Sequence, residues 1–205
     1  ASDVYKRQIR KDHIMITIKA GQSTSFPRIA DAIEAAKAYA PMPVTIHIAP
    51  GRYHEKLTIS QPHVTLMGDD ASNTILTYDD YAREIMPDGI KRGTFRTYTL
   101  FLDAPDITLC NLTVENAAGA GKEVGQAIAL YAEGEGIRVE NCRLIGSQDT
   151  LFTGPLPEKE KEPGGFRGPK EFAPRINGRQ YYKNTYICGG CLLYTSPSPR
   201  DVEES

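Results

Sequence analysis

ITLCNLTVEN (Ile107–Asn116), IRVENCRLIG (Ile137–Gly146) and QYYKNTYICG (Gln180–Gly189) align on Asn111, Asn141 and Asn184. Around each asparagine apolar residues alternate with other types, the period of a strand with one buried face. HVTLMG (His63–Gly68) begins a weaker copy. Such a segment cannot bury its apolar side alone. Stacked copies bury a continuous core, so the repeat predicts a solenoid. An asparagine fixed at each turn can bond along the column through its amide and satisfy backbone groups there. The other reading is a row of asparagines facing a ligand. Asn111-Leu112-Thr113 is also a glycosylation sequon, but it lies inside a strand, where a glycan is not expected.

Outward from these copies, further short strands are predicted in VTIHIA (Val44–Ala49), KLTI (Lys56–Ile59), TILTY (Thr74–Tyr78), TYTLFL (Thr97–Leu102) and AIALYA (Ala127–Ala132). Turn residues punctuate them at Pro50-Gly51, Gly68-Asp69-Asp70, Ala104-Pro105-Asp106 and Glu133–Gly136. A helix is predicted near Ala30 to Tyr39, with Ser25 as its cap, Pro27 in the first turn, and Phe26, Ile29, Ile33 and Ala36 at helical spacing. It would cover the amino-terminal end of the stack, where an open edge invites association. Gly154–Gly178 breaks the pattern with 25 residues rich in Pro, Gly and charge. That exceeds a normal connection, so it is read either as a lid or cleft wall or as a solvated insertion.

The 205 residues suffice for one domain with a sizeable core, and a formal net charge of −2 argues against a general nucleic-acid binder. The basic run Lys6, Arg7, Arg10, Lys11 is read as a solvated or foreign tail, the alternative being an interaction arm. No apolar stretch approaches the roughly 20 residues that span a bilayer, so no membrane partner is expected. No signal peptide is read at the amino end, and a start at Met15 would leave room for a cytoplasmic location. Cys110, Cys142, Cys188 and Cys191 are too sparse for a disulfide scaffold and read as small hydrophobes. The two ends, ASDVYKRQ and CLLYTSPSPRDVEES, lack strand or helix periodicity and resemble translated sequencing-adapter sequence; the alternative is a natural Ser/Pro-rich linker. The chain therefore divides into an extension, 1–8, a folded part, 9–190, and a tail, 191–205.

The strongest chemical signal is Gly146-Ser147-Gln148-Asp149-Thr150-Leu151-Phe152, an amide beside a carboxylate just after a strand. Strand neighbours point to opposite faces, but at a turn or bulge both can reach one cleft. A buried Asp can serve as a general acid, and a Gln amide can donate to a developing oxyanion. The plainer reading is a turn-forming Asp. Gln126 opens the apolar strand Gln126–Leu130 and needs a partner or a ligand. GAGK at Gly119–Lys122 is not a P-loop, which would need Gly at Asn116 and Ser or Thr at Glu123. His13, His47, His54 and His63 show no metal-ligand spacing, and neither metal nor other cofactor is expected.

In order and spacing, GRYHEKL (Gly51–Leu57), QAIAL (Gln126–Leu130), SQDTLF (Ser147–Phe152) and RQYYKNTYICG (Arg179–Gly189) resemble the signature segments of the pectinesterases, and DITLCNLTVENAAG (Asp106–Gly119) resembles the segment preceding QAIAL. The resemblance covers nearly all of residues 9–190. It implies an all-β chain, a right-handed parallel β-helix with an amino-terminal capping helix, usually secreted and monomeric when complete. It implies hydrolysis of methyl esters on pectin through an Asp nucleophile and an Asp general acid. Asp149 matches the proton donor, Gln148 the transition-state stabiliser, Gln126 a substrate and oxyanion contact, Phe152 the sugar cleft and Thr94 a substrate-binding threonine.

One departure is as informative as the match. After the last rung the family continues x-V-D-F-I-F-G, and counting from Gly189 its nucleophilic Asp falls where this chain has Leu192. The later L-G-R-P-W segment is absent, and the chain has no Trp. The expectation is a copy truncated on its carboxyl side and lacking its nucleophile. Two rivals stay open. A pectin lyase or polygalacturonase would draft carboxylates such as Asp79, Asp80, Asp103 and Asp106. A non-catalytic solenoid would bind carbohydrate without turnover.

Overall fold

A computed structural model describes residues 16–160, 163–189 and 191–195. The extension 1–8, the basic run, His13, Met15 and the tail beyond Thr195 lie outside the described residues. After β1 (Ile16–Ala20) each turn of chain gives one strand to each of three sheets. The turns are β2 (Val44–Ile48), β3 (Gly51–His54) and β4 (Leu57–Ile59); β5 (Val64–Gly68), β6 (Thr74–Tyr78) and β7 (Leu100–Leu102); β8 (Thr108–Cys110), β9 (Thr113–Asn116) and β10 (Leu130–Ala132); β11 (Ile137–Glu140), β12 (Arg143–Ile145) and β13 (Gln148–Thr153); and β14 (Gln180–Lys183), β15 (Tyr186–Cys188) and β16 (Cys191–Thr195). The sheet orders are β1-β2-β5-β8-β11-β14, β3-β6-β9-β12-β15 and β4-β7-β10-β13-β16. Every pairing of named strands is parallel. This is a parallel β-helix.

Register turns the repeat into columns. Leu57, Leu100, Leu130 and Leu151 stack in the third sheet. Leu76, Val114, Leu144 and Ile187 stack in the second, and Ile46, Leu66, Leu109, Val139 and Tyr182 in the first. All are buried except Tyr182 and Ile187, which pack on the core while partly exposed. Asn111, Asn141 and Asn184 stand at the corner between the first and second sheets. Asn184 Nδ2 donates to Asn141 Oδ1 (3.2 Å), and Asn141 Nδ2 to Asn111 Oδ1 (3.3 Å). Their φ angles of 55°, 54° and 49° are left-handed, which short polar side chains tolerate. In the weaker copy Gly68 occupies this corner, because a Cβ there would lie 2.4 Å from the Asn111 carbonyl oxygen.

The helix α1 (Ile29–Ala36) continues into a 3₁₀ turn to Tyr39 and buries Ile29, Ala32, Ile33 and Ala36 against β1, β2 and β4. Its cap differs from the expected Ser25. The cap position is Arg28, without a side-chain bond, and the Glu55 carboxylate accepts the Ile29 and Ala30 N–H groups (2.9 and 3.0 Å). A carboxylate does this better than a hydroxyl, since the bonds are charge-assisted and the charge opposes the helix dipole. Phe26 lies before the helix, bridged to Ala20.

Two further findings refine the expectations. Residues 191–195 were expected to lack regular structure, yet Cys191–Thr195 runs as a strand along β13. Cys-Leu-Leu-Tyr-Thr suits a strand, and the two prolines that would interrupt pairing come later, at 197 and 199. The described parts of the long segment, 154–160 and 163–178, form a wall against Phe95 and Asp103. Arg175 donates to the carbonyls of Pro157, Lys170, Glu171 and Ala173 (3.3, 2.8, 3.0 and 2.7 Å), Lys170 pairs with Asp103, and Phe166 is buried.

Candidate active site

Of the residues flagged by sequence, Gln148, Asp149 and Phe152 lie in β13, whereas Gln126 and Thr94 lie in the segments that lead into β10 and β7. Phe101, Tyr131 and Phe152 share one register on the outer side of the third sheet, with ring centroids 4.5 and 4.7 Å apart. Phe95 stands against Phe152 (5.0 Å), and Phe166 from the wall against Phe95 (6.0 Å). These rings are buried together with Ile128 and Leu156. Phe152 was expected to line the cleft. It is 0% exposed, with Phe95 packed edge-on against it.

The chain leaves β12 through Gly146 and Ser147 and enters β13 with a break of register between Gln148 and Leu151. Inside that break Asp149 is buried and has φ 57°, so the bulge envisaged from the sequence is present. Such a conformation is uncommon outside glycine, and strain of this kind concentrates at functional positions. The flanks are pinned: Ala127 N–H donates to the Gln148 carbonyl and Ala129 N–H to the Thr150 carbonyl, both at 3.0 Å. Thr150 Oγ1 donates to the Cys188 carbonyl (3.0 Å) and is flanked by Gly146 and Gly189, where a Cβ would come within 2.7 and 2.3 Å of it.

A short helix, α2 (Gly121–Val124), closes over the turn. Gly121 N–H donates to Ser147 Oγ (2.8 Å), and a Cβ on Gly121 would sit 2.8 Å from the Gln148 side chain. The glycine of the GAGK run thus has a packing reason. Gln126 follows this helix, half-buried, with its carbonyl accepting the Ala82 N–H (2.9 Å). Among the described residues neither the Gln126 nor the Gln148 side-chain amide has a hydrogen-bond partner, which leaves both able to donate to a ligand.

Thr94 opens a 3₁₀ turn, and its carbonyl accepts from Thr97 Oγ1 (2.7 Å); that hydroxyl in turn accepts the Ile128 N–H (3.0 Å). Asn116 completes the junction, donating Nδ2 to the carbonyls of Asp80, Thr97 and Ile128 (3.0, 3.0 and 3.2 Å). The Thr94 turn is therefore tied, through Ile128, to the segment that runs from Gln126 into β10. Sequence reading missed Asn116 because it belongs to no repeat column, and it missed Tyr131. The Tyr131 hydroxyl donates to Glu133 (2.9 Å). Burial raises both groups, and their mutual charge adds to the rise at Tyr131. Aligning LFL, LYA and LFT would have revealed the aromatic column.

The carboxylates that a lyase or polygalacturonase would draft hold cations or histidines. Asp79 meets His54 (3.0 Å), Asp80 meets Lys56 and Arg92, Asp103 meets Lys170, and Asp106 meets His63 (3.4 Å). Burial lowers the Lys56 ammonium, against the Asp80 carboxylate that raises it. Among the described residues no helix is long and apolar enough to cross a membrane.

The chain is similar to known proteins in sequence and in fold. A family model described as Pectinesterase matches residues 15–156. A probable pectinesterase/pectinesterase inhibitor of Arabidopsis thaliana is 36% identical over 62% of this chain and 22% of its own length. Pectinesterase A of Dickeya chrysanthemi is 30% identical over 74% of this chain and 45% of its own. Among solved structures, a pectin methylesterase from Erwinia chrysanthemi superposes with a TM-score of 0.66 at 26% identity, covering 85% of this chain and 49% of that one. A pectin methylesterase in complex with a hexasaccharide gives 0.61 at 30% identity, covering 66% and 45%. The chain thus spans less than half the length of each of these relatives.

Proposed function

The chain belongs to the pectinesterase family, and from that premise we propose that it carries the acid and oxyanion side of an ester hydrolase acting on methyl-esterified polygalacturonate. Asp149 protonates the departing methanol oxygen. Gln148, at the start of β13, and Gln126, in the segment leading into the neighbouring β10, have uncommitted amides and donate to the oxygen of the tetrahedral intermediate. The nucleophile attacks the ester carbonyl, and water then releases the pectate carboxylate. Thr94 contacts the sugar, and Phe152 fixes the floor below.

One observation carries this reading: the bulge at Asp149 lies opposite the stretch of β16 where the family's nucleophile is expected. β16 pairs Cys191 with Gln148 and Leu193 with Leu151, which sets Leu192 against the Asp149 bulge. Donor and nucleophile positions on adjacent strands can converge on one ester. With Leu192 in that place the chain lacks the nucleophile, and a general acid has no acyl-enzyme to serve.

Methanol release from methylated pectin tests both halves. Pure chain is expected to give none above a heat-killed control, since loss of a nucleophile costs on the order of 10⁶ in rate in one protease series. Replacing residues 191–205 with a family continuation should restore release, and Asp149→Asn in that longer protein should abolish most of it. Release by the chain as it stands would overturn the role given to position 192. An extended protein that binds pectin without turnover would favour the non-catalytic reading.

A further inference from the structure

Asn116 ends β9 and is 5% exposed, and its side-chain amide is fully engaged. Its Oδ1 accepts the Ala118 N–H (3.0 Å), and its Nδ2 reaches the carbonyls of Asp80, Thr97 and Ile128 (3.0, 3.0 and 3.2 Å). An amide nitrogen carries two hydrogens, so three acceptors must share them through a forked bond. A side chain that only closed its own turn would need the Ala118 bond alone. The three carbonyls instead come from three separate connections: Asp80 follows β6, Thr97 leads into β7 and Ile128 leads into β10. Two of these connections carry candidate site residues, Thr94 and Gln126.

Ile128 is the pivot of this arrangement. Its N–H donates to Thr97 Oγ1 (3.0 Å), and its carbonyl accepts from both Asn116 and the Thr99 N–H (3.1 Å). Its two neighbours hold the Asp149 bulge. Ala127 N–H donates to the Gln148 carbonyl and Ala129 N–H to the Thr150 carbonyl, both at 3.0 Å. Asp149, with φ 57°, thus lies between two peptide groups whose places depend on Ile128. Gln126 stands two residues earlier on the same segment. A shift of Ile128 would therefore move Gln126 and both flanks of Asp149 together, and a misplacement of about 1 Å is enough to disable a site.

We infer that Asn116 is a positioning residue for the candidate site: through Ile128, its amide sets Gln126 and the Asp149 bulge in place against the Thr94 turn. The inference rests on the pectin reading above and deepens it by naming the side chain that joins the three segments. The amide's two N–H groups are what the role requires, because all three of its long-range partners are acceptors. A side chain of the same shape without those donors would leave buried carbonyls unpaired and let the segments separate.

Asn116→Asp separates the donors from the shape. Protonated, the introduced carboxyl keeps one donor; ionised, it keeps none and faces three carbonyl oxygens, and burial among acceptors opposes that ionisation. Of the residues supplying those carbonyls only Asp80 is titratable, and Lys56 and Arg92 hold its carboxylate. The test is calorimetric titration of the full chain with a fully methyl-esterified oligogalacturonate, which is uncharged, from about pH 4 to about pH 7. Relative to the parent at each pH, Asn116→Ala should bind about tenfold more weakly throughout, whereas Asn116→Asp should match the parent at the acid end and fall about tenfold behind it at the other. Asn141→Ala, in the exposed asparagine column away from this junction, should leave the affinity of the folded chain unchanged. Circular dichroism at each pH shows which proteins are folded, and if Asn116→Ala does not fold, the pH profile of Asn116→Asp decides alone. If the parent binds and the folded Asn116 variants bind as well at every pH, the positioning role is wrong and the pectin reading stands. Affinity lost only where the dichroism signal is lost too, or lost equally in Asn141→Ala, would make Asn116 a stability residue and overturn the role. If the parent does not bind, the pectin reading fails and takes the positioning role with it.

Discussion

Asp149 takes a backbone conformation that costs a β-carbon-bearing residue about 1–2 kcal/mol, and aspartate and asparagine bear it better than branched residues. Chemistry and backbone can therefore be separated at this position. Asp149→Asn should leave the thermal midpoint of the chain within about 2 °C, whereas Asp149→Val should destabilise it by about 1–2 kcal/mol or more. Melting followed by circular dichroism decides this, and equal losses in both variants would mean that the charge, not the conformation, matters to the fold. The carboxylate was legible from Gln-Asp after a strand. The bulge beneath it was readable only as a possibility, because register depends on the neighbouring rungs. Glu133 was legible only as part of a turn. Burial lifts its carboxyl above the ordinary 4.5. The folded chain then holds the proton more tightly than the unfolded chain. Its contribution to stability is full below about pH 4.5 and is lost as pH rises through the folded-state value. Glu133→Gln should flatten stability over that window and be at least as stable as the parent at pH 7. Urea midpoints from pH 4 to 7 check it; parallel declines in parent and variant would show that other groups set the slope.

At the level of elements, the asparagine column shows what repeats make readable. Three copies aligned on one residue announced both the stacking and its amide ladder, since each Asn must repeat the same backbone turn and hand its amide to the next. Asn141 is the middle rung, bonded to Asn111 on one side and Asn184 on the other. Asn141→Ala should cost about 2–3 kcal/mol, combining left-handed strain with two lost bonds. Asn141→Gly, free of that strain, should cost about half as much. Urea unfolding of the pair separates the two contributions, and equal costs would remove the conformational part. The helix was equally clear in its apolar spacing, but its cap was not. Glu55 reaches it from a distant turn, and no local motif encodes a bond across 26 residues of chain. Between the two readings of 154–178, cleft wall or solvated insertion, the sequence could not choose for the same reason. Its order comes from Arg175 gathering carbonyls and Phe166 entering an aromatic column, not from periodicity.

Across the whole molecule, burial follows from stacking. A column residue with a rung on either side loses all its exposed surface, while one at the last turn of its column keeps some. Leu144 lies between Val114 and Ile187 and is 0% exposed; Ile187 packs on the same column but remains partly open. Removing the Leu144 side chain forfeits its transfer free energy and leaves a cavity between two rungs that parallel hydrogen bonds hold at fixed spacing, so the gap cannot close. Leu144→Ala should cost about 3–5 kcal/mol, near the upper end for such substitutions. Ile187→Ala should cost about 1–2 kcal/mol, because a partly exposed side chain has less to lose and its neighbours can relax. The two variants should also differ in reach. Nearest-neighbour coupling lets damage at Leu144 weaken amides in both flanking rungs, Thr113–Asn116 and Tyr186–Cys188, whereas damage at Ile187 should spare the former. Native-state hydrogen exchange reads this directly. Faster exchange of the Thr113–Asn116 amides in Ile187→Ala than in Leu144→Ala would show that stability in this β-helix is not passed from rung to adjacent rung.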